Sequence, residues 1–319
     1  MQAPKARAVA RSRAGWLARY ARLRASALRA GLVLVYHKLG DPPGNPEREV
    51  VPALDPALFD DQLAHLARWY RVVPAADIQA AAGARRRGER FPVAISFDDD
   101  LRSHAEVALP GLRRAGLTAT FFLSGASLNG PHRFWWERLQ AAADHGIALT
   151  AALGPAVQPE GDSIHGWALA IESSTPDERR RVAAALEERI GPDPPDSGMR
   201  RAEVVALVEA GFDVAFHTLR HHRLPLLDDA ELATALREGR AELEATVGRP
   251  VRSISYPHGK GDARVAAAAR EAGYDRGFTG AAKVVRPGSD PLLLPRVEVE
   301  HSSPAGFARQ LVATLERAR

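Results

Sequence analysis

Cysteine is absent from all 319 residues, so disulfides are excluded and any bound metal must be held by histidine and carboxylate. Long apolar runs are absent as well. The composition is 45% hydrophobic, yet no tract approaches the roughly 20 apolar residues that a membrane-spanning helix requires. There is no internal repeat, and no low-complexity segment beyond an enrichment in Ala and Arg. What remains is an ordinary globular composition, long enough for one large single-core domain or two smaller ones.

Acid is absent from the first 30 residues, which carry eight Lys and Arg, so the net +4 of the whole chain becomes −4 over the rest. Between those arginines, Trp16, Leu17, Tyr20, Leu23 and Leu28 recur at roughly helical spacing. One expectation is a solvated basic arm over 1–30. The other is an amphipathic helix on an anionic membrane surface or on a partner. Arg interrupts every apolar stretch before Leu32, which argues against a secretory signal. The expected location is therefore cytoplasmic, or peripheral to the cytoplasmic membrane. The mildly acidic remainder argues against nucleic acid as a partner.

Apolar, strand-like runs at 31–37, 91–97, 119–125 and "FDVAFH" alternate with helical periods, the clearest at 56–70. From about 127 to 200 the alternation gives way to helical segments and turns. One helix start there is well marked, with Thr175 as cap, Pro176 in the first turn and Glu178 completing a capping box. Alternation then resumes: a helix at 200–210, one at 228–247, the strand "VRSISYP", a helix at 263–272, short strands in "YDRGFTG" and "LLLPRVEVE", and a helix at 304–318. Repeated β-then-α units point to an α/β fold, a parallel sheet or barrel with helices outside.

In such folds, functional groups collect where strands end and loops leave. "ISFDDD" ends a strand in Asp98, Asp99 and Asp100, and "FDVAFHTLRHH" ends another with His217 and His221 four residues apart. An Asp and two His around an open position suit a catalytic divalent metal, with a second carboxylate beside it to take a proton from water. The bland alternatives are a helix cap or solvated turn for the acids, and ordinary surface or core positions for the histidines.

"SFDDD" resembles the TFDDG motif, and "HTLRH" the H-[S/T]-x-x-H motif, of polysaccharide deacetylases (the NodB homology domain, carbohydrate esterase family 4). "VLVYHKLGD", "ATFFLSG", "SISYPHG" and "LLLPRVEVE" are similar to that family's flanking motifs in the same order, over roughly 31–300. The resemblance implies a distorted (β/α) barrel over 31–319 with a helical insert at about 127–200. It also implies metal-assisted removal of N-acetyl, sometimes O-acetyl, groups from an acetylated glycan. It makes Asp98 the general base and Asp99, His217 and His221 the ligands of a divalent metal, zinc first, with cobalt, nickel or manganese as the others. A backbone N–H near Tyr256 would hold the oxyanion. Thr218 would hold the His loop by hydrogen bonding.

The chain departs from that pattern in three places. Asp100 replaces the motif's glycine, either to cap the next helix or to add charge near the metal. "SISYPHG" lacks the arginine that orients the base in many members, and Arg296 is the stand-in. The closing motif lacks its general-acid histidine, leaving His301, His258, His37 and His222 as candidates. In the insert, Trp135 and Trp136 are candidates for a sugar platform, with at most one facing a groove. Two other readings keep the same fold: an amidohydrolase of a small cyclic amide, and a non-catalytic glycan-binding relative that retains the metal site.

Overall fold

The computed structural model describes residues 15–153, 157–159, 161 and 163–319. Nine parallel strands form one sheet: β1 (Leu32–Tyr36), β2 (Arg71–Val72), β3 (Pro92–Asp98), β4 (Thr120–Leu123), β5 (Asp213–Phe216), β6 (Ser253–Ser255), β7 (Arg276–Thr279), β8 (Leu294–Pro295) and β9 (Val297–Glu298). The order is β8-β7-β6-β5-β4-β3-β1-β9, with β2 added beside β3. The two ends of this order are consecutive in sequence. Leu294 pairs with Phe278 of β7 and Val297 pairs with Leu34 of β1, so one five-residue stretch nearly closes the barrel. The expected α/β barrel is the fold found.

Period-2 alternation decides which side chains fill the barrel. Val33, Ala94, Phe122, Ala215, Phe278 and Leu294 form the inner cluster, while Leu34, Val93, Ile95, Phe97 and Phe121 face the helices outside. Among those helices, α1 (Pro56–Trp69) starts on Asp55, whose carboxylate accepts from the Ala57 and Leu58 N–H groups. Between β4 and β5 lies the insert, with α2 (Trp135–Asp144), α3 (Ile164–Glu172) and α4 (Pro176–Ile190) around a separate core that includes Trp135, Leu139, Trp167, Ile171 and Leu186. The capping box at Thr175 and Glu178 forms as its residues dictate. The terminal helix α5 spans Pro304–Glu316.

Three expectations need correction. The 228–247 helix is two, because Gly239 adopts φ 80° between Asp229–Ala235 and Arg240–Val247. "LLLPRVEVE" holds two strands, not one. The basic segment is no free arm over its described part: residues 15–24 are helical, and Trp16, Tyr20 and Leu23 are buried in the main core against Trp69, Tyr70 and Phe91. Tyr20 donates to the Trp69 carbonyl, and Arg19 pairs with Glu316 of α5. The apolar stripe offered to a membrane thus covers the barrel. Lys5, Arg7, Arg11 and Arg13 lie outside the described residues. Among the described residues, no helix is long and apolar enough to cross a membrane.

Candidate active site

The strand ends do what their sequences suggested. Asp98 is the last residue of β3, and its side chain turns into the barrel, 3% exposed. The chain reverses at Asp99, which has φ 75°, and this aims the next carboxylate beside the first. After β5, the loop carrying His217 and His221 includes left-handed residues at Thr218 (φ 61°) and His221 (φ 47°). His258 (φ 57°) follows β6. These are the four non-glycine residues with positive φ among the described ones, and all lie at this end of the barrel. Asp and His tolerate that region better than most residues, but the concentration of strain is typical of a functional site.

Asp99, His217 and His221 each turn a ligand atom to one point, all within 4.8 Å of one another. Asp99 Oδ1 lies 3.6 Å from His217 Nε2 and 3.6 Å from His221 Nε2. Ligands at the usual zinc distances of roughly 2.0–2.2 Å stand about 3.3–3.6 Å apart around a tetrahedron. Asp99 Oδ1 is buried and receives no hydrogen bond. Burial, with Asp98 and Asp100 alongside, pushes its carboxyl well above the usual range, so a cation is what this oxygen lacks. The residues present fit a divalent metal.

The tautomer of His217 follows from its partners. Nδ1 lies 2.9 Å from the Ser255 carbonyl, which can only accept, so Nδ1 carries the hydrogen and Nε2 presents its lone pair to the Asp99 side. His221 has no such anchor: its Nδ1 is buried without a partner. Its ring is held by packing, 4.6 Å from the Trp136 ring and 4.5 Å from His258, centroid to centroid.

Arg296 sits between β8 and β9, in the stretch that closes the barrel. Its guanidinium forks Asp98, Nη1 to Oδ1 at 2.6 Å and Nη2 to Oδ2 at 2.7 Å, and also donates to Ser255 Oγ and the Thr279 carbonyl. Ser255 Oγ donates to Asp98 Oδ2 at 3.0 Å. Burial alone would raise the Asp98 carboxyl, but Arg296 and His217 outweigh it and hold the group well below its ordinary range. Asp98 is therefore ionised, and its neighbour Asp99 is the one that needs a counter-charge.

A cavity of about 490 Å³ opens over these groups, lined also by His37, Trp135, Trp136, Glu172, His258 and Lys260. His258 Nδ1 faces the Glu172 carboxylate of the insert at 3.5 Å, and its Nε2 has no partner. Other candidates fall elsewhere. His301 opens onto the neighbouring cleft of about 990 Å³, which shares His37 and Glu298 with the site. His222 lies on the far side of the His221 loop. Tyr256's own groups are engaged elsewhere: its N–H bonds the Phe278 carbonyl in the sheet and its hydroxyl bonds the Leu292 carbonyl, so an oxyanion donor near Tyr256 would have to be another backbone N–H. Nor do the two tryptophans form an open platform. Trp135 is 9% and Trp136 5% exposed, because Trp136 stacks on Phe134 and backs His221 while both belong to the insert's core.

Asp100 does not cap the next helix; of the two alternatives it is the added charge that holds, since its carboxylate helps to raise that of Asp99. It is buried, and it accepts from Ser124 N and Oγ at 2.7 Å each and from Gly125 and Ser127 at longer range, holding the loop that leaves β4. Its replacement of glycine costs no backbone strain, since the left-handed residue here is Asp99. Sequence reasoning missed Ser255 and Glu172, although the "SIS" of β6 placed a hydroxyl at a strand end in plain view.

Comparison with known proteins agrees with this geometry. Residues 178–277, which include His217, His221 and His258, match the family model described as polysaccharide deacetylase. The likeness is to the polysaccharide deacetylases. A putative polysaccharide deacetylase, YxkH of Bacillus subtilis (strain 168), is 35% identical over 57 residues, which is 18% of this chain and a fifth of that relative's length. Two solved structures share the fold at a TM-score of 0.59. One is the Streptococcus pyogenes deacetylase PplD in complex with acetate (16% identity, 90% of this chain and 98% of that one), and the other is IcaB from Ammonifex degensii (21%, 90% and 97%). The fold shared with these two structures covers 90% of this chain, well beyond the segment matched by the family model.

Proposed function

We propose that this protein is a metal-dependent hydrolase that removes acetyl groups from the amino sugars of a glycan. The observation that carries the reading is the division of labour at the end of β3. Asp98 is neutralised by Arg296, while the adjacent Asp99 turns to two imidazole nitrogens an Oδ1 that receives no hydrogen bond. Asp99, His217 and His221 would hold the ion, with zinc favoured by the nitrogen and oxygen donor set. Bound there, a divalent ion supplies Lewis-acid polarisation of the acetyl carbonyl and of the attacking water.

The chain's own groups do the rest. Asp98, kept ionised and oriented by Arg296 and Ser255, accepts the proton of the attacking water through a lone pair those contacts leave free. An amine leaves poorly unless it is protonated. His37 and His258 are the imidazoles outside the ligand set that line the cavity, and they are the donors within reach.

The test is acetate release from N-acetylated glucosamine oligomers, with zinc, cobalt, nickel or manganese added and with chelator. Release should require metal. Asp98→Asn should retain the metal and lose at least 100-fold in rate, whereas Asp99→Asn should lose the metal itself. No release with any of these ions would overturn the reading. An active Asp98→Asn variant would overturn the role of the base.

A further inference from the structure

The two histidines of the metal set are fixed in different ways. The ring of His217 is anchored through Nδ1 on Ser255, the arrangement that normally orients a metal-binding imidazole. His221 lacks this, and its backbone sits in the left-handed region. Its carbonyl, however, is held from outside the barrel. Arg179, in the first turn of α4 in the insert, donates from Nη1 to the His221 carbonyl at 3.0 Å and from Nη2 to the Glu172 carbonyl at 2.9 Å, at the end of α3. The Arg179 side chain is buried and its Nε has no partner, and among the described residues it makes no ion pair with a carboxylate, Glu172 acting on it only at longer range. A buried guanidinium whose hydrogen bonds, among the described residues, go to carbonyls alone is costly, and fold stability alone would be served better by an apolar residue.

We infer that Arg179 is a positioning residue. It ties the helical insert to the metal-ligand loop and holds His221 in its ligating orientation through the backbone, in place of the missing ring partner. The insert is then part of the metal site's support. Glu172, whose carbonyl Arg179 also holds, presents its carboxylate to His258 and Arg223 within the same cavity. This inference rests on the metal-site reading above.

The test measures zinc affinity by competition with a chromophoric chelator, together with the visible absorption of the cobalt-substituted protein. Arg179→Met fills the buried space without a donor, and it should weaken zinc binding roughly 10- to 100-fold and alter the cobalt bands. Arg179→Lys keeps one donor and should lose less. Zinc affinity within threefold of the parent for Arg179→Met, with an unchanged cobalt spectrum, overturns the inference. Should Arg179→Met show no cooperative unfolding, Arg179→Lys decides: a threefold or greater loss of affinity supports the role, and no loss overturns it. A parent protein that binds neither ion would instead overturn the metal-site reading.

Discussion

Replacing Arg296 with methionine would leave the Asp98 carboxylate inside the barrel with Ser255 Oγ, at 3.0 Å, as its remaining donor. Removing one member of a buried ion pair costs about 3–5 kcal/mol, because the other charge stays buried, whereas removing both is close to neutral. Arg296→Met should therefore lower the unfolding free energy by about 3–5 kcal/mol. The double variant Asp98→Asn/Arg296→Met should recover about 2 kcal/mol or more of that loss. Denaturant unfolding with chelator present measures this without a contribution from bound metal. The pH dependence has a definite sign. With Arg296 present the Asp98 carboxyl lies below its unfolded value, so the pair's contribution is full above the ordinary carboxylate range and is lost only as pH falls through the lower folded value. Without Arg296, the main opposition to burial is gone and the carboxyl rises, so the gap between parent and variant narrows as pH falls. A loss under about 1 kcal/mol for Arg296→Met, or a double variant as unstable as the single, would refute the reasoning.

Asp100→Gly restores the family residue but strands the donors of Ser124 and Ser127, and should destabilise by at least about 2 kcal/mol; a neutral outcome in thermal unfolding would show that the loop after β4 stands without it. Burial holds His104 near 4, from an ordinary 6.5. A lowered histidine loses stability as pH falls from 6.5 towards 4, here by up to about 3 kcal/mol. His104→Phe should flatten that limb of the stability–pH curve, and an unchanged slope would exclude His104 as its source. Trp16→Ala should cost about 3 kcal/mol if the N-terminal helix is part of the core, and almost nothing if that helix is dispensable.

The parts of the site that lie within one strand end were legible: two adjacent acids after β3 and two histidines after β5 declare themselves by local spacing. Arg296 was legible only as a stand-in, because its partner lies 198 residues away. The capping role offered for Asp100 failed for the same reason at shorter range, while its charge beside Asp99 was legible from adjacency. A local capping rule suggested the following helix, while its hydroxyl and amide donors come from the next strand's exit. Arg179 and Glu172 carried no signal at all, since an arginine inside a helical insert looks like any solvated position until the fold sets it against His221. The N-terminal stripe shows the general limit. Periodicity tells that a face is covered, and not by what.

The stretch Leu294–Glu298 also sets when, during synthesis, Asp98 gains its partner. The residues that shut the barrel are made well after β3, and Arg296 lies in the middle of them, 198 residues beyond Asp98. Until they dock between β7 and β1, Asp98 has no guanidinium to hold it charged. The charged state of Asp98 thus arrives with closure rather than before it, and a nascent chain stopped short of residue 294 would carry Asp98, Asp99, His217 and His221 yet lack the guanidinium that pairs with Asp98.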